Sequence, residues 1–100
     1  MEKEKRDVIF QPEAQDSIFH IYCYIAKKGY PETAEKFYDE LYDFGYTLNN
    51  FPEKYPICRQ ARFRKRKMHC AVFHKNYIFL YKVVKDKLII YNVIHGKALR

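Results

Sequence analysis

The chain predicts an α+β fold of order β-α-α-β-β-β, with a helix hairpin packed on one face of a small antiparallel sheet. Three observations carry this expectation. Apolar residues recur every three or four positions through the first half. From residue 58 onward the pattern turns strand-like, interrupted by short polar turns at His74-Lys75-Asn76 and Lys85-Asp86. Helices therefore come first and strands last, the order in which helices gather on one side of a sheet.

Residues 1–6 are a charged start, and Val8-Ile9-Phe10 predicts a short strand. Pro12 followed by Glu13 opens a helix, because proline tolerates the first turn and an acid complements the helix dipole there. Ala14, Ile18, Ile21 and Ile25 share one face of it to about Lys28, with Gly29 as the stop. Pro31 opens a second helix whose stripe is Ala34, Phe37, Leu41, Phe44 and Leu48. Gly45 weakens it late, and Asn49-Asn50-Phe51-Pro52 ends it. The link between the helices is so short that they must pack as an antiparallel hairpin. The stripes Ile18-Ile21-Ile25 and Phe37-Leu41-Phe44-Leu48 are core. Tyr22, Tyr24, Tyr38, Tyr42 and Tyr46 exceed what those stripes need and read as half-buried rings with wet hydroxyls.

Phe51 to Pro56 is a loop with two prolines. Beyond it Arg62, Arg64 and Arg66 alternate with Phe63, Lys65 and Lys67, which predicts an extended segment with three arginines along one side. Met68 to Phe73, Tyr77 to Val84 and Leu88 to Ile94 predict three strands joined as a meander. One hundred residues, 48% of them hydrophobic, suit one domain spanning 1–100.

The net charge of +7 is unevenly placed. Residues 1–50 hold six Lys/Arg against ten Asp/Glu, a charge of −4; residues 51–100 hold thirteen against two, a charge of +11. Such a split points to a polyanionic partner for the second half. With the helices on one sheet face, the other face is expected to carry the surplus of Lys, Arg and His.

Cys23, Cys58 and Cys70 are odd in number and widely spaced. They suggest neither a zinc site nor a disulfide framework, and the expectation is reduced thiols in a cytoplasmic chain. No metal or other cofactor is expected. The N-terminus lacks the apolar stretch of a signal peptide. The longest apolar run, Tyr77 to Tyr81, is far too short to span a bilayer.

Two constellations could carry chemistry. Arg59, Arg62, Arg64, Lys65, Arg66, Lys67 and Lys97 form a candidate surface for a polyanion, since guanidinium forks bind phosphates and carboxylates in pairs of hydrogen bonds. The plainer alternative is an edge strand guarded by charge. His95 and His69, with Arg64, are candidates for acid–base chemistry, because imidazole titrates near neutrality and a cation offsets negative charge that builds up in a reaction. Tyr91 is a candidate helper, and His74 reads as a turn residue.

Several local sequences, in this order, resemble the RelE/ParE toxin superfamily of type II toxin–antitoxin systems. They are Pro12-Glu13-Ala14, Ile21-Tyr22-Cys23-Tyr24-Ile25-Ala26, Phe51-Pro52, Tyr55-Pro56, Cys58-Arg59, Tyr77-Ile78-Phe79-Leu80-Tyr81-Lys82-Val83 and Ile94-His95-Gly96. The resemblance implies an acidic or partly disordered antitoxin as partner. It implies one of two activities: mRNA cleavage in the ribosomal A site, or inhibition of DNA gyrase without cleavage. The residues of the nuclease branch carry over poorly. Its second-strand lysines fall on His69 and Ala71, its third-strand arginine on Ile78, and the arginine after the last strand on Ala98; no tail beyond Arg100 supplies its tyrosine. The chain therefore resembles the ParE-like side more closely.

The leading expectation is a ParE-like toxin that blocks a target such as gyrase through a basic sheet face, alone as a homodimer or joined to its antitoxin. The alternatives are a RelE-like endoribonuclease with a non-standard His/Arg site, and a non-toxic nucleic-acid-binding module. A plasmid-stabilising role accompanies the toxin reading.

Overall fold

The computed structural model describes residues 6–96. Its elements are β1 (Asp7–Phe10), α1 (Pro12–Lys27), α2 (Pro31–Thr47), a 3-10 turn (Pro52–Lys54), α3 (Ala61–Arg64), β2 (His69–Phe73), β3 (Tyr77–Val84) and β4 (Lys87–His95). Pro12 stands at the start of α1 with Glu13 in its first turn and Lys27 in its last. Gly29 then takes a φ of +93°, which a residue with a Cβ rarely adopts, and turns the chain into α2.

The four strands form one sheet in the order β1-β4-β3-β2. The meander β2-β3-β4 is antiparallel, as its two tight turns require. His74, Lys75 and Lys85 take positive φ in those turns without help from glycine. β1 departs from the fully antiparallel expectation: it lies parallel to β4, Val8 beside Leu88 and Phe10 beside Ile90. A strand that precedes the whole helix hairpin is not tied to its neighbour by a turn, so its direction is free of the hairpin rule. The sheet is mixed.

The helices cover one sheet face over an aromatic core. Phe79, Tyr81, Leu88, Ile90 and Val93 meet Ile18, Leu41 and Leu48, all buried. Phe44 packs at 4.8 Å from Phe73 and 5.0 Å from Phe79, and Phe10 lies 4.7 Å from Tyr42. Ile21 and Phe37 line the margin of this core, and Tyr24 and Tyr46 stand exposed. The Ser17 hydroxyl donates to Asn92 Oδ1 at 2.6 Å, and the same oxygen accepts the Val93 N–H where the β3–β4 register shifts.

Side chains alternate across a strand, so Ile78 and Leu80 point away from the helices. They do not face water. With Cys58 and Met68 they form a second buried cluster, joined by Phe63, Cys70, Tyr91 and Ile94. The sheet face expected to carry the surplus cations is therefore an apolar face covered by residues 57–68. A backbone ladder holds that cover in place: Cys58 N–H to Met68 O at 2.8 Å, and Cys70 N–H to Pro56 O at 3.1 Å.

The cysteine expectation is also corrected. Cys58 and Cys70 form a disulfide across this ladder, and Cys23 alone is a free thiol. Twelve residues separate the pair in sequence, but the return of the chain from α3 into β2 brings their α-carbons to 5.1 Å.

Candidate functional site

The arginine-rich segment is not extended. Ala61–Arg64 forms one helical turn, with Arg64 N–H bonding Gln60 O at 2.8 Å and Lys65 N–H bonding Ala61 O at 3.0 Å. Lys67 follows at a φ of 57°, which swings Met68 beneath the turn. Five residues separate Phe63 from Met68. That spacing puts the two on opposite faces of a strand, whereas a helical turn lets both reach the second cluster. The burial of that pair overrides the period-2 appearance of the cations.

Arg59, Arg62, Arg64, Lys65, Arg66 and Lys67 are all exposed on this cover. The Arg62 guanidinium lies 4.6 Å from the Phe63 ring centre, and that of Arg66 lies 5.2 Å from the Tyr91 ring. Both rings belong to the second cluster, so two of the charges rest on fixed aromatic surfaces. Arg64 Nη1 donates to Arg59 O at 3.3 Å. Among the described residues the ion pairs are His74 with Glu40 and Lys87 with Asp86, and neither involves the arginine-rich segment. Lys97 lies outside the described residues.

Beside the segment, under the Pro52–Lys54 turn, a groove of about 900 Å³ is lined by Arg6, Phe51, Lys54, Ile57, Lys67, His69, Lys82 and neighbouring residues. His69 is held there. Its Nδ1 lies 2.6 Å from Tyr55 O, and its ring stacks on Tyr81 at 5.1 Å. A carbonyl only accepts, so Nδ1 carries the proton. Tyr81 is fully buried and its hydroxyl donates to Pro52 O at 2.6 Å. Burial first, and the neighbouring Tyr55 second, push its pKa up to about 12.

The model of the family described as "ParE toxin of type II toxin-antitoxin system, parDE" matches residues 8–99. The chain belongs to the ParE toxin family. A solved structure described as "Chromosomal ParDE TA system from P. aeruginosa" shares the fold, with a TM-score of 0.75 at 10% identity, covering 93% of this chain and 98% of that one. No curated protein matches.

In this ParE-family chain the three candidate nuclease residues do not converge. His69 pairs with Tyr81 on β3, and His95 pairs with Tyr77 on the same strand from its other side. Four residues along β3 and two strand spacings place their α-carbons about 16 Å apart. One phosphodiester cannot reach both. His95 closes β4 near Ser17, His20 and Tyr24 of α1, on the helix side of the sheet. Arg64 sits on the opposite cover. Tyr77, 5.5 Å from His95, has its pKa raised by burial and then by Tyr24, so its phenol stays protonated at neutral pH. Tyr91 lies beneath Arg66 in the second cluster. His74 is a turn residue, 3.7 Å from Glu40.

Sequence reasoning overlooked Arg6, Lys54 and Lys82 in the groove. Lys82 hides inside an apolar strand sequence, and Arg6 is the last residue of the charged start. The signal available was Lys82 itself, a charge breaking an otherwise apolar run between Tyr81 and Val83. Among the described residues no group of three or more His, Cys, Asp or Glu side chains is placed to hold a metal ion. Among them, no helix is long and apolar enough to cross a membrane.

Proposed function

We propose that this ParE-family toxin inhibits DNA gyrase by docking the cationic cover Arg59–Lys67 onto it, and that an acidic antitoxin neutralises the toxin by covering the same residues. The observation that carries this reading is the set of six exposed cations on one short segment, none of them in an ion pair among the described residues. Like charges held this close repel until a partner's acids offset them. Anchoring on Phe63 and Tyr91 means two of these guanidiniums lose little rotamer freedom on binding, which favours a specific protein interface over a loose electrostatic one. The scattered placement of His69, His95 and Arg64 supports inhibition by binding over RNA cleavage.

The test is induced expression with and without charge reversal of the cover. Wild-type toxin is expected to arrest growth, to inhibit gyrase supercoiling in vitro and to leave mRNA intact. The double variant Arg62→Glu/Arg64→Glu, both positions exposed and its folding checked by circular dichroism, is expected to lose arrest and gyrase inhibition together. Inhibition that survives the double reversal would remove the cover from the mechanism. Cleaved mRNA in a translating extract would replace gyrase with the ribosome.

A further inference from the structure

The groove under the Pro52–Lys54 turn has a chemistry of its own. Its volume of about 900 Å³ lies within the range of small-ligand pockets. Arg6, Lys54, Lys67 and Lys82 supply four cations against the single acid Glu53. None of the four is in an ion pair among the described residues. The Arg6 guanidinium is fixed rather than loose: Nε donates to Asn49 Oδ1 at 2.8 Å and Nη2 to Asn49 O at 3.0 Å. Asn49 Nδ2 returns a bond to Arg6 O at 3.0 Å.

Apart from Asn50 and His69, the remaining lining is apolar and partly aromatic. Phe51 is 70% exposed and Ile57 is 39% exposed, and Pro52 and Val83 complete the wall. Among the described residues Phe51 stacks on no other ring, although most of the phenylalanines here are paired with one. A large exposed ring beside a cationic wall matches a ligand with two parts, a polyanion and a flat apolar body. A bare phosphate leaves the ring uncovered, and a neutral apolar molecule leaves four cations uncompensated.

We propose that this groove binds a nucleoside polyphosphate. The phosphates lie on Lys54, Lys67, Lys82 and Arg6, and the base stacks on Phe51. His69, its Nδ1–H committed to Tyr55 O, is a fixed wall of the site. The site is distinct from the Arg59–Arg66 cover and shares only Lys67 with the segment assigned to target binding.

The experiment is titration of the full chain with ATP by calorimetry, with tripolyphosphate and a short single-stranded oligonucleotide as parallel probes. The proposal expects one-to-one ATP binding, at least five-fold tighter than tripolyphosphate. Phe51→Ala, a truncation of an exposed ring that leaves the core intact, is expected to weaken ATP at least five-fold and leave tripolyphosphate unchanged. Lys82→Glu is expected to weaken both about ten-fold, and Arg62→Glu/Arg64→Glu to leave ATP within two-fold. ATP binding no tighter than tripolyphosphate, or indifferent to Phe51→Ala, would reduce the groove to an anion patch and overturn the proposal. Oligonucleotide binding without ATP binding would overturn it as well. Neither outcome touches the gyrase reading, whose test uses the other variant and another readout.

Discussion

Gly45 sits late in α2 with Phe10 and Ile90 pressed against it. A Cβ built there meets Phe10 Cζ at 2.5 Å and Ile90 Cδ1 at 2.9 Å. Alanine is favoured over glycine inside a helix by about 1 kcal/mol, yet overpacking a filled core costs about 1–3 kcal/mol. The clash is with two buried groups of β1 and β4, so it wins. Gly45→Ala is expected to lose about 1 kcal/mol in urea denaturation, the reverse of its effect on an isolated helix. The buried phenols give a second expectation. Burial pushes Tyr81 up to about 12, with Tyr55 adding to it, and pushes Tyr42 up to about 12, with Tyr38 adding to it. An unfolded tyrosine titrates near 10. Between these values the unfolded chain binds fewer protons than the native one, so stability falls as pH rises. Full stability is expected below pH 10 and a progressive loss toward about 12, followed by tyrosinate absorbance. Tyr81→Phe should flatten that slope, and a slope unchanged by it would remove Tyr81 from the linkage.

At the scale of elements, both long helices and all three meander strands were legible because each carries its own period and its own stop. Pro12 and Pro31 open helices, Gly29 closes one, and His74-Lys75-Asn76 and Lys85-Asp86 break the strands. α3 was not legible. Its cations alternate as a strand's do, and the information that overrides them lies in Met68, Ile78 and Leu80, which a local reading does not connect. The disulfide was missed for the same reason: Cys58 and Cys70 meet only once α3 folds back. It closes a short loop over the second cluster, and loops of this length stabilise by about 3 kcal/mol in the chain-entropy account. Cys70→Ser is therefore expected to lower stability by about 3 kcal/mol in non-reducing buffer. A thiol reductant should bring the wild type to the same level, and Cys23→Ser should change neither value. If reductant leaves the wild-type melting temperature unmoved, the staple contributes nothing to the cover.

For the whole molecule, the candidate site was legible as composition and illegible as geometry. The sequence places thirteen of its nineteen Lys and Arg in the second half, but only the second buried cluster shows that the six from Arg59 to Lys67 ride on a lid above the sheet instead of on the sheet itself. That arrangement bears on stability. The positions Arg59, Arg62, Arg64, Lys65, Arg66 and Lys67 fall within nine residues, and the acids of α1 and α2 lie across the sheet from them. Self-repulsion among exposed charges opposes folding and is screened over about 10 Å at 0.1 M salt. Raising sodium chloride from 0.05 to 0.5 M is expected to raise the melting temperature by roughly 4 °C, the shift that about 1 kcal/mol gives a domain of this size. Sodium chloride also acts weakly on burial, so the comparison that isolates the lid is a variant with Arg62, Lys65 and Arg66 changed to Gln. It should melt higher than the wild type at 0.05 M salt and converge with it at 0.5 M. A gap that persists at high salt would mean that the substitutions act through the Phe63 and Tyr91 contacts and not through charge. The lid would then be a packing element on which the cations are incidental.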